Sequence, residues 1–400
     1  MPGPIVNQGN VSPDNAASSP GHKMTDCQVQ ALAWTQRRIF CTTSAGKVFA
    51  TRKFGPKLGT LIKESLGHPS KDCRESKDRQ LEVMGCGTGC AIEGSKADSI
   101  AMNLDAYTLD AYTRIAQQVF PGAVVTHAAT LTGGVSADIC RLELLLTDSS
   151  TKNLVLRAHR SDHSGHPAEL EYQLLRALYQ SALPVPEPLL VDTSASLLQA
   201  PYLLMAFVEG SSVIRGEQLL QHMELMAAML LRIHALPTTD LPLLPSRNEP
   251  MPELLAYLPR GSEWDRLREY LASKAWPACE QTPRLLHGDF WPQNLLWRNG
   301  AIAGILDWED AALGDPLSDV ACCELELRYK FGKLGMDRFM QAYTGRQPLD
   351  VRRLALWRIY VAAAAQQYMG EWDLAPALEL HMRGIALTSI REAGLALMTP

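Results

Sequence analysis

The stretch that decides the reading is LLHGDFWPQNLLWRNGAIAGILDWEDAALGDPLSD, residues 285–319. Within it Asp289 and Asn294 stand five apart, and Asp307 follows eighteen residues after Asp289. Each adjoins a short apolar run: LL precedes His287, NLLW begins at Asn294, and IAGIL precedes Asp307. Buried strands that end in polar residues deliver those residues to one edge, so the pattern predicts a cleft holding two carboxylates and an amide. Such a set has the parts that phosphoryl transfer needs: a group to accept a hydroxyl proton, and oxygen ligands to hold a divalent ion on nucleotide phosphates. An isolated Asp in a turn is more often a cap or a turn former. Here three such residues at fixed spacing, each beside an apolar run, fall within 35 residues, which argues against coincidence.

Working outward, the chain after residue 100 reads first as strands and then as helices. DICRLELLLTD and NLVLRAHR are β-like runs joined by the polar turn DSSTKN. AELEYQLLRALYQSA has helical spacing and stops at LPVPEP; PYLLMAFVEG reads as a buried strand ending in a glycine turn. GEQLLQHMELMAAMLLRIHAL is a long apolar-faced helix ended by Pro237, and most of the remaining chain is helical. The expected architecture is α+β and bilobal: a small mixed β lobe over residues 102–209 and a larger helical lobe over 210–400. Residues 1–101 are rich in turn formers, and no core periodicity is visible in them. They are expected to be a disordered extension or to lie outside the fold.

HGDFWPQN resembles the catalytic-loop pattern H-G-D-x-x-x-x-N of the aminoglycoside phosphotransferase and choline kinase-like family, relatives of the protein kinases. ILDWEDAALGDP resembles the same family's metal-binding segment. The resemblance covers roughly residues 105–395 and implies a protein-kinase-like fold. It implies that Asp289 is the catalytic base, that Asn294 and Asp307 are Mg²⁺ ligands, and that His287 organises the loop. Asp315 and Asp319, at the start of the next helix, are expected to cap it or to brace the catalytic loop.

The nucleotide half carries weaker signals. LTGGVSAD, residues 131–138, is a glycine turn before a strand, where backbone N–H groups could approach phosphate oxygens; Gly133, Gly134 and Ser136 are the candidates. A plain hairpin turn accounts for it equally well. The resemblance implies a cation on the next strand, where this chain has Arg157 rather than lysine; an arginine can still grip phosphate bidentately. It also implies a carboxylate partner on the following helix, Glu171 in preference to Glu169. Backbone groups of the segment from Met205 through Phe207 to Val208 are expected to hold adenine. ATP and Mg²⁺ are thus the implied cofactors, and a small-molecule hydroxyl compound the implied acceptor.

The acceptor itself is not legible. Glu324, Glu326, Glu371 and Asp373 could form an acidic wall, or Trp291, Tyr329, Tyr368 and Trp372 an aromatic cage, but a solvated helix face or ordinary core describes them as well. A protein kinase fits poorly: Asp307 is followed within a few residues by GDP and a helix, and no A-P-E motif appears. A nucleotide-binding module without catalysis would not need Asp289.

Composition sets the outer limits. Lys plus Arg number 38 against 43 Asp plus Glu, a net charge of −5, which gives no general attraction to nucleic acid or anionic membrane. No apolar run approaches the ~20 residues of a membrane span. MPGPIVNQGN lacks the basic start and apolar core of a secretory signal, so a soluble cytoplasmic protein is expected. The odd count of nine cysteines fits reduced thiols, and the pair Cys86 and Cys90 lacks a second pair at zinc spacing. Oligomeric state stays open.

Overall fold

The computed structural model describes residues 106–131, 137–160, 165–276, 282–372 and 374–399. The expected extension over 1–101, the glycine-turn candidates Gly133, Gly134 and Ser136, and Asp373 lie outside the described residues.

The first lobe is a sheet with a helix on each face. In chain order it contains α1 (Ala106–Gln117), β1 (Val124–Thr130), β2 (Ala137–Leu145), β3 (Thr151–His159), α2 (Ala168–Gln180), β4 (Pro188–Asp192) and β5 (Tyr202–Ala206). The strands run in the order β1-β2-β3-β5-β4, and every pairing is antiparallel. Side chains alternate along β3. Leu154 and Leu156 face a cluster with Ile115 of α1, Val125, Leu142 and Leu204. Val155 and Arg157, one residue out of phase, face the opposite side, where α2 packs Leu174, Leu175 and Leu178 into the larger core. An arginine is therefore carried into the interior by strand period alone. LPVPEP does stop α2, but it also leads straight into β4, which the sequence reading missed. β4 is an edge strand and begins with its proline, the position where a missing N–H costs no ladder bond.

The second lobe contains α3 (Leu219–His234), β6 (Ser246–Arg247), α4 (Glu253–Tyr257), α5 (Ser262–Ala272), β7 (Arg284–Leu286), β8 (Leu295–Arg298), β9 (Ala301–Ile305), β10 (Ala312–Gly314), α6 (Leu317–Thr344), α7 (Val351–Tyr368) and α8 (Pro376–Met398). α6 bends at Gly332, whose φ of 63° lies outside the helical region. α7 buries the run from Ala362 to Ala365 completely, as a helix packed on several sides must. Its small side chains let its neighbours approach closely.

Two short sheets hang the candidate residues on this helical base. β8 and β9 form a hairpin, and β10 joins β7 antiparallel and β6 parallel. β10 went unread because AALG has neither length nor alternation; Gly314 is needed there because a Cβ would overlap the Arg247 carbonyl. The start of the second lobe is tied to β8 by a bridge between Ser211 and Trp297, whose N–H and C=O groups exchange bonds of 3.0 and 2.8 Å.

Candidate active site

β7 ends at Leu286 and the chain turns through His287, Gly288 and Asp289. The turn is fixed from below: His287 N and Gly288 N donate to the two oxygens of Asp319, at 2.8 and 3.0 Å. Asp319 lies in the first turn of α6 and also meets His234 Nε2 at 3.2 Å, while His234 Nδ1 lies 3.1 Å from the Tyr343 hydroxyl. Burial opposes the Asp319 charge, but the hydrogen bond and charge of His234, with His287 nearby, outweigh it and hold the carboxyl below its usual range. Gly288 has φ of 87°, and a Cβ there would overlap the Asp310 carbonyl, so only glycine lets the turn lie against the 307–310 segment.

His287 is fully buried beneath this turn. Its Nε2 donates to the Leu306 carbonyl at 2.9 Å, which leaves Nδ1 to accept from Asp289 N at 3.3 Å. Its ring lies 4.5 Å from that of Trp308. Burial pushes its pKa down to about 4, so the imidazole is neutral, and both nitrogens are committed to shaping the loop.

Asp289 is half-buried. Asn294, fully buried in the single 3₁₀ turn Pro292–Asn294, donates from Nδ2 to the Asp289 carbonyl at 2.8 Å and to its Oδ2 at 3.1 Å. The Asn294 carbonyl in turn accepts from Leu306 N at 2.8 Å, tying the loop to the residue before Asp307. Asp307 has φ of 63°, a left-handed conformation that Asp tolerates better than most residues.

Two buried oxygens in this arrangement, Asn294 Oδ1 and Asp307 Oδ1, have no hydrogen-bond partner. Buried polar atoms are almost always hydrogen-bonded, so a buried amide oxygen and a buried carboxylate oxygen that make none suit a hard cation. Burial raises the Asp307 pKa well above the carboxylate range; Glu309 and Asp289 add to the effect, and Arg157 opposes it. Among the described residues no group of three or more His, Cys, Asp or Glu is arranged to hold a metal. The oxygens present fit an ion that takes only one or two protein ligands and completes its shell with phosphate and water.

Arg157, buried on β3, reaches the same place. Its Nη1 is 3.6 Å from Asp307 Oδ1 and its Nε 3.4 Å from Glu171 Oε2, while Nη2 is hydrogen-bonded to Glu309 Oε2. Glu171 lies on the buried stripe of α2 with Ala168, Leu174, Leu175 and Leu178, whereas Glu169 is exposed and bonds Gln173 at 2.8 Å. The sequence reading paired Arg157 with the α2 carboxylate alone. In the structure Glu171 also holds His159 Nε2 at 3.0 Å, and Glu309 is a further hydrogen-bonded partner of Arg157. The missed signal was spacing. Asp307 and Glu309 flank Trp308, which is fully buried, and both carboxylates reach Arg157.

Between the lobes, Phe207 N donates to the Asn153 carbonyl at 3.3 Å, so of the backbone groups expected to meet adenine this N–H is engaged by β3. Met205 is likewise committed to the sheet, paired with Val155 and Pro188. Val208 has no backbone hydrogen-bond partner among the described residues, and its side chain packs against Gly304 of β9. Of the acceptor candidates, Glu324 is held by Arg358 at 2.6 and 2.7 Å, and Tyr368 by the Tyr257 hydroxyl at 3.1 Å. Trp291 and Glu326 are buried. Asp315 accepts from Leu317 N at 3.0 Å and from Trp357 Nε1 at 2.6 Å, and pairs with Arg353; it anchors α6 to α7. Cys140, Cys322 and Cys323 are free thiols. Among the described residues no helix is long and apolar enough to cross a membrane.

A β lobe and a helical lobe meeting at two carboxylates and an amide define the two-lobed kinase-like class of phosphotransferase folds. Residues 130–357 match the model of the phosphotransferase enzyme family, and the chain belongs to that family. Its fold is similar to that of a Ralstonia eutropha protein described as an aminoglycoside phosphotransferase, with TM-score 0.53 and 16% identity over 71% of this chain and 97% of that one. It is also similar to aminoglycoside phosphotransferase APH(4)-Ia solved with AMP-PNP and hygromycin B, with TM-score 0.50 and 18% identity over 70% and 98% of the two chains. Curated relatives include acyl-CoA dehydrogenase family member 10 of Mus musculus, 28% identical over 42% of this chain, and family member 11 of Rattus norvegicus, 26% identical over 54%. The chain spans 18% and 30% of the lengths of those two proteins.

Proposed function

We propose that this protein transfers the γ-phosphoryl group of ATP, with Mg²⁺, to a hydroxyl of a small molecule. The observation that carries the reading is the junction at Asn294: one amide fixes the Asp289 carboxylate with its nitrogen and keeps its oxygen buried without a hydrogen-bond partner, while its backbone carbonyl is tied to the residue before Asp307. In this reading Asp289 accepts the acceptor's proton, and Asn294 keeps its carboxylate aimed into the cleft. Asn294 and Asp307 hold the metal, which when bound neutralises charge on the nucleotide phosphates. Arg157 binds phosphate oxygens, and Glu171 and His159 keep it from folding back into the core. Val208 offers its backbone to the adenine edge. Residues 102–209 form the nucleotide lobe and 210–400 the acceptor lobe, with the preceding residues outside both.

The dehydrogenase names belong to proteins of which this chain spans less than a third, and they carry no activity to it. The acceptor class is set no more finely than a small hydroxyl compound; amino sugars, amino alcohols, sugars and hydroxy acids belong in one screen. The full-length chain, Mg–ATP and each class would be followed by ADP release. ADP release above background with one class, abolished in Asp289→Asn, supports the reading. Nucleotide binding without transfer to any class makes the chain a binding module, and no nucleotide binding at all removes the proposal.

A further inference from the structure

Arg157 meets three carboxyl groups at once. One guanidinium faces Glu171, Asp307 and Glu309, all within ion-pairing distance and all mostly buried. The partner hydrogen-bonded to its Nη2 is Glu309, whose backbone is pinned to the other lobe: the Glu309 carbonyl accepts from His166 N at 3.1 Å, and His166 Nε2 lies 2.9 Å from the Ala311 carbonyl. Gly165 gives the room for this contact, since a Cβ there would come within 2.6 Å of Glu309 Cβ. Arg157 Nε, meanwhile, is buried with no hydrogen-bond partner, although Glu171 is 3.4 Å away. The guanidinium is shared between α2, through Glu171, and the 307–310 segment, through Asp307 and Glu309.

We propose that Glu309 is a positioning residue that competes with nucleotide phosphate for Arg157. Without nucleotide, Glu309 holds the guanidinium against the 307–310 segment. A phosphate oxygen must displace that carboxylate before Arg157 can receive it, so Glu309 weakens the binding of nucleotide that arrives without its metal. Mg²⁺ at Asn294 and Asp307 would lower the negative charge that Arg157 serves and release it toward phosphate. Glu309 thereby makes the site select metal-loaded nucleotide. The inference rests on the phosphate-binding role given to Arg157 above.

The test is calorimetric titration of ADP into the full-length chain, in EDTA and in excess Mg²⁺, for wild type, Glu309→Gln, Arg157→Gln and the double variant. Glu309→Gln is expected to bind metal-free ADP roughly tenfold tighter than wild type, the scale of one charge-assisted hydrogen bond removed from competition. That gain must vanish in the Arg157→Gln background. Unchanged or weaker metal-free binding overturns the proposal, as does a gain that persists without Arg157. A loss confined to the Mg²⁺ series would make Glu309 a metal ligand instead, which also overturns it. Glu309→Asp keeps the charge on a shorter arm and gives a second reading of the same competition should the glutamine variant fold poorly; it too should bind metal-free ADP tighter than wild type. If wild type binds ADP under neither condition, the failure belongs to the proposed function, not to Glu309.

Discussion

Asn294 Nδ2 donates both to the Asp289 carbonyl and to its Oδ2, at 2.8 and 3.1 Å. One side chain thus sets the backbone turn and the direction of the carboxylate together. The five-residue spacing is what a single 3₁₀ turn needs to fold the amide back onto the aspartate.

Asp289→Asn should keep that turn, since an amide is isosteric with the carboxylate, while removing the proton acceptor. Turnover is expected to fall by roughly 10²–10⁴-fold, with Mg–ADP affinity nearly unchanged. Parallel steady-state kinetics and calorimetry check this split. A variant that lost affinity and turnover equally would place Asp289 among the nucleotide contacts.

Asp307→Asn should act in the opposite way, and with an apparent contradiction. Burial and neighbouring carboxylates disfavour the Asp307 charge in the folded chain, so a neutral amide should raise the melting temperature of the ligand-free protein. The same change should abolish the stabilisation by Mg–ADP, worth about 2.7 kcal/mol at ligand a hundredfold above its dissociation constant. Thermal unfolding with and without Mg–ADP reads both effects. A destabilised ligand-free variant would contradict the electrostatic argument.

The arrangement of the proposed catalytic residues was legible because their reading rests on side-chain identity at fixed spacing. His287, Asp289, Asn294 and Asp307 are each named by the chain, and the turns that join them are too short to separate them. The partners were less legible for physical reasons. Glu309 meets Arg157 across 152 positions of chain, a distance over which no local pattern operates. Phe207 gives its N–H to Asn153, a choice made by strand register and invisible in either residue. Glu171 was readable in part, because a carboxylate on the apolar stripe of a helix must find a cation. β10 and β4 were unreadable because three residues carry no period and a leading proline conceals an edge strand.

Gly288→Ala tests how tightly the two motifs are locked. A Cβ would overlap the Asp310 carbonyl at a φ of 87°, and relief requires the catalytic turn to move off the 307–310 segment. The strained backbone and the overlap together should cost about 3 kcal/mol of unfolding free energy. Urea denaturation measures it. A loss within 0.5 kcal/mol would mean that the turn can shift freely, and that the contact does not fix Asp289.

The last expectation concerns acid. His287 is neutral and fully buried, with its pKa pushed down to about 4 by burial against an unfolded value near 6.5. Below pH 6.5 the unfolded chain takes up a proton that the folded chain refuses, so stability from this group is whole above 6.5, declines as pH falls toward 4, and levels off below that. The integrated loss is roughly 3 kcal/mol. Asp319, held below its usual range, adds a separate loss at still lower pH, because its ion-paired form is complete above the ordinary aspartate pKa and disappears only as the folded carboxyl protonates. Urea midpoints across pH 7.5 to 4.5 should therefore slope for wild type and be flatter for His287→Gln, which starts lower at neutral pH because it loses the bond to Leu306. Parallel slopes in the two proteins would show that the imidazole under the catalytic turn is not the group that acid titrates.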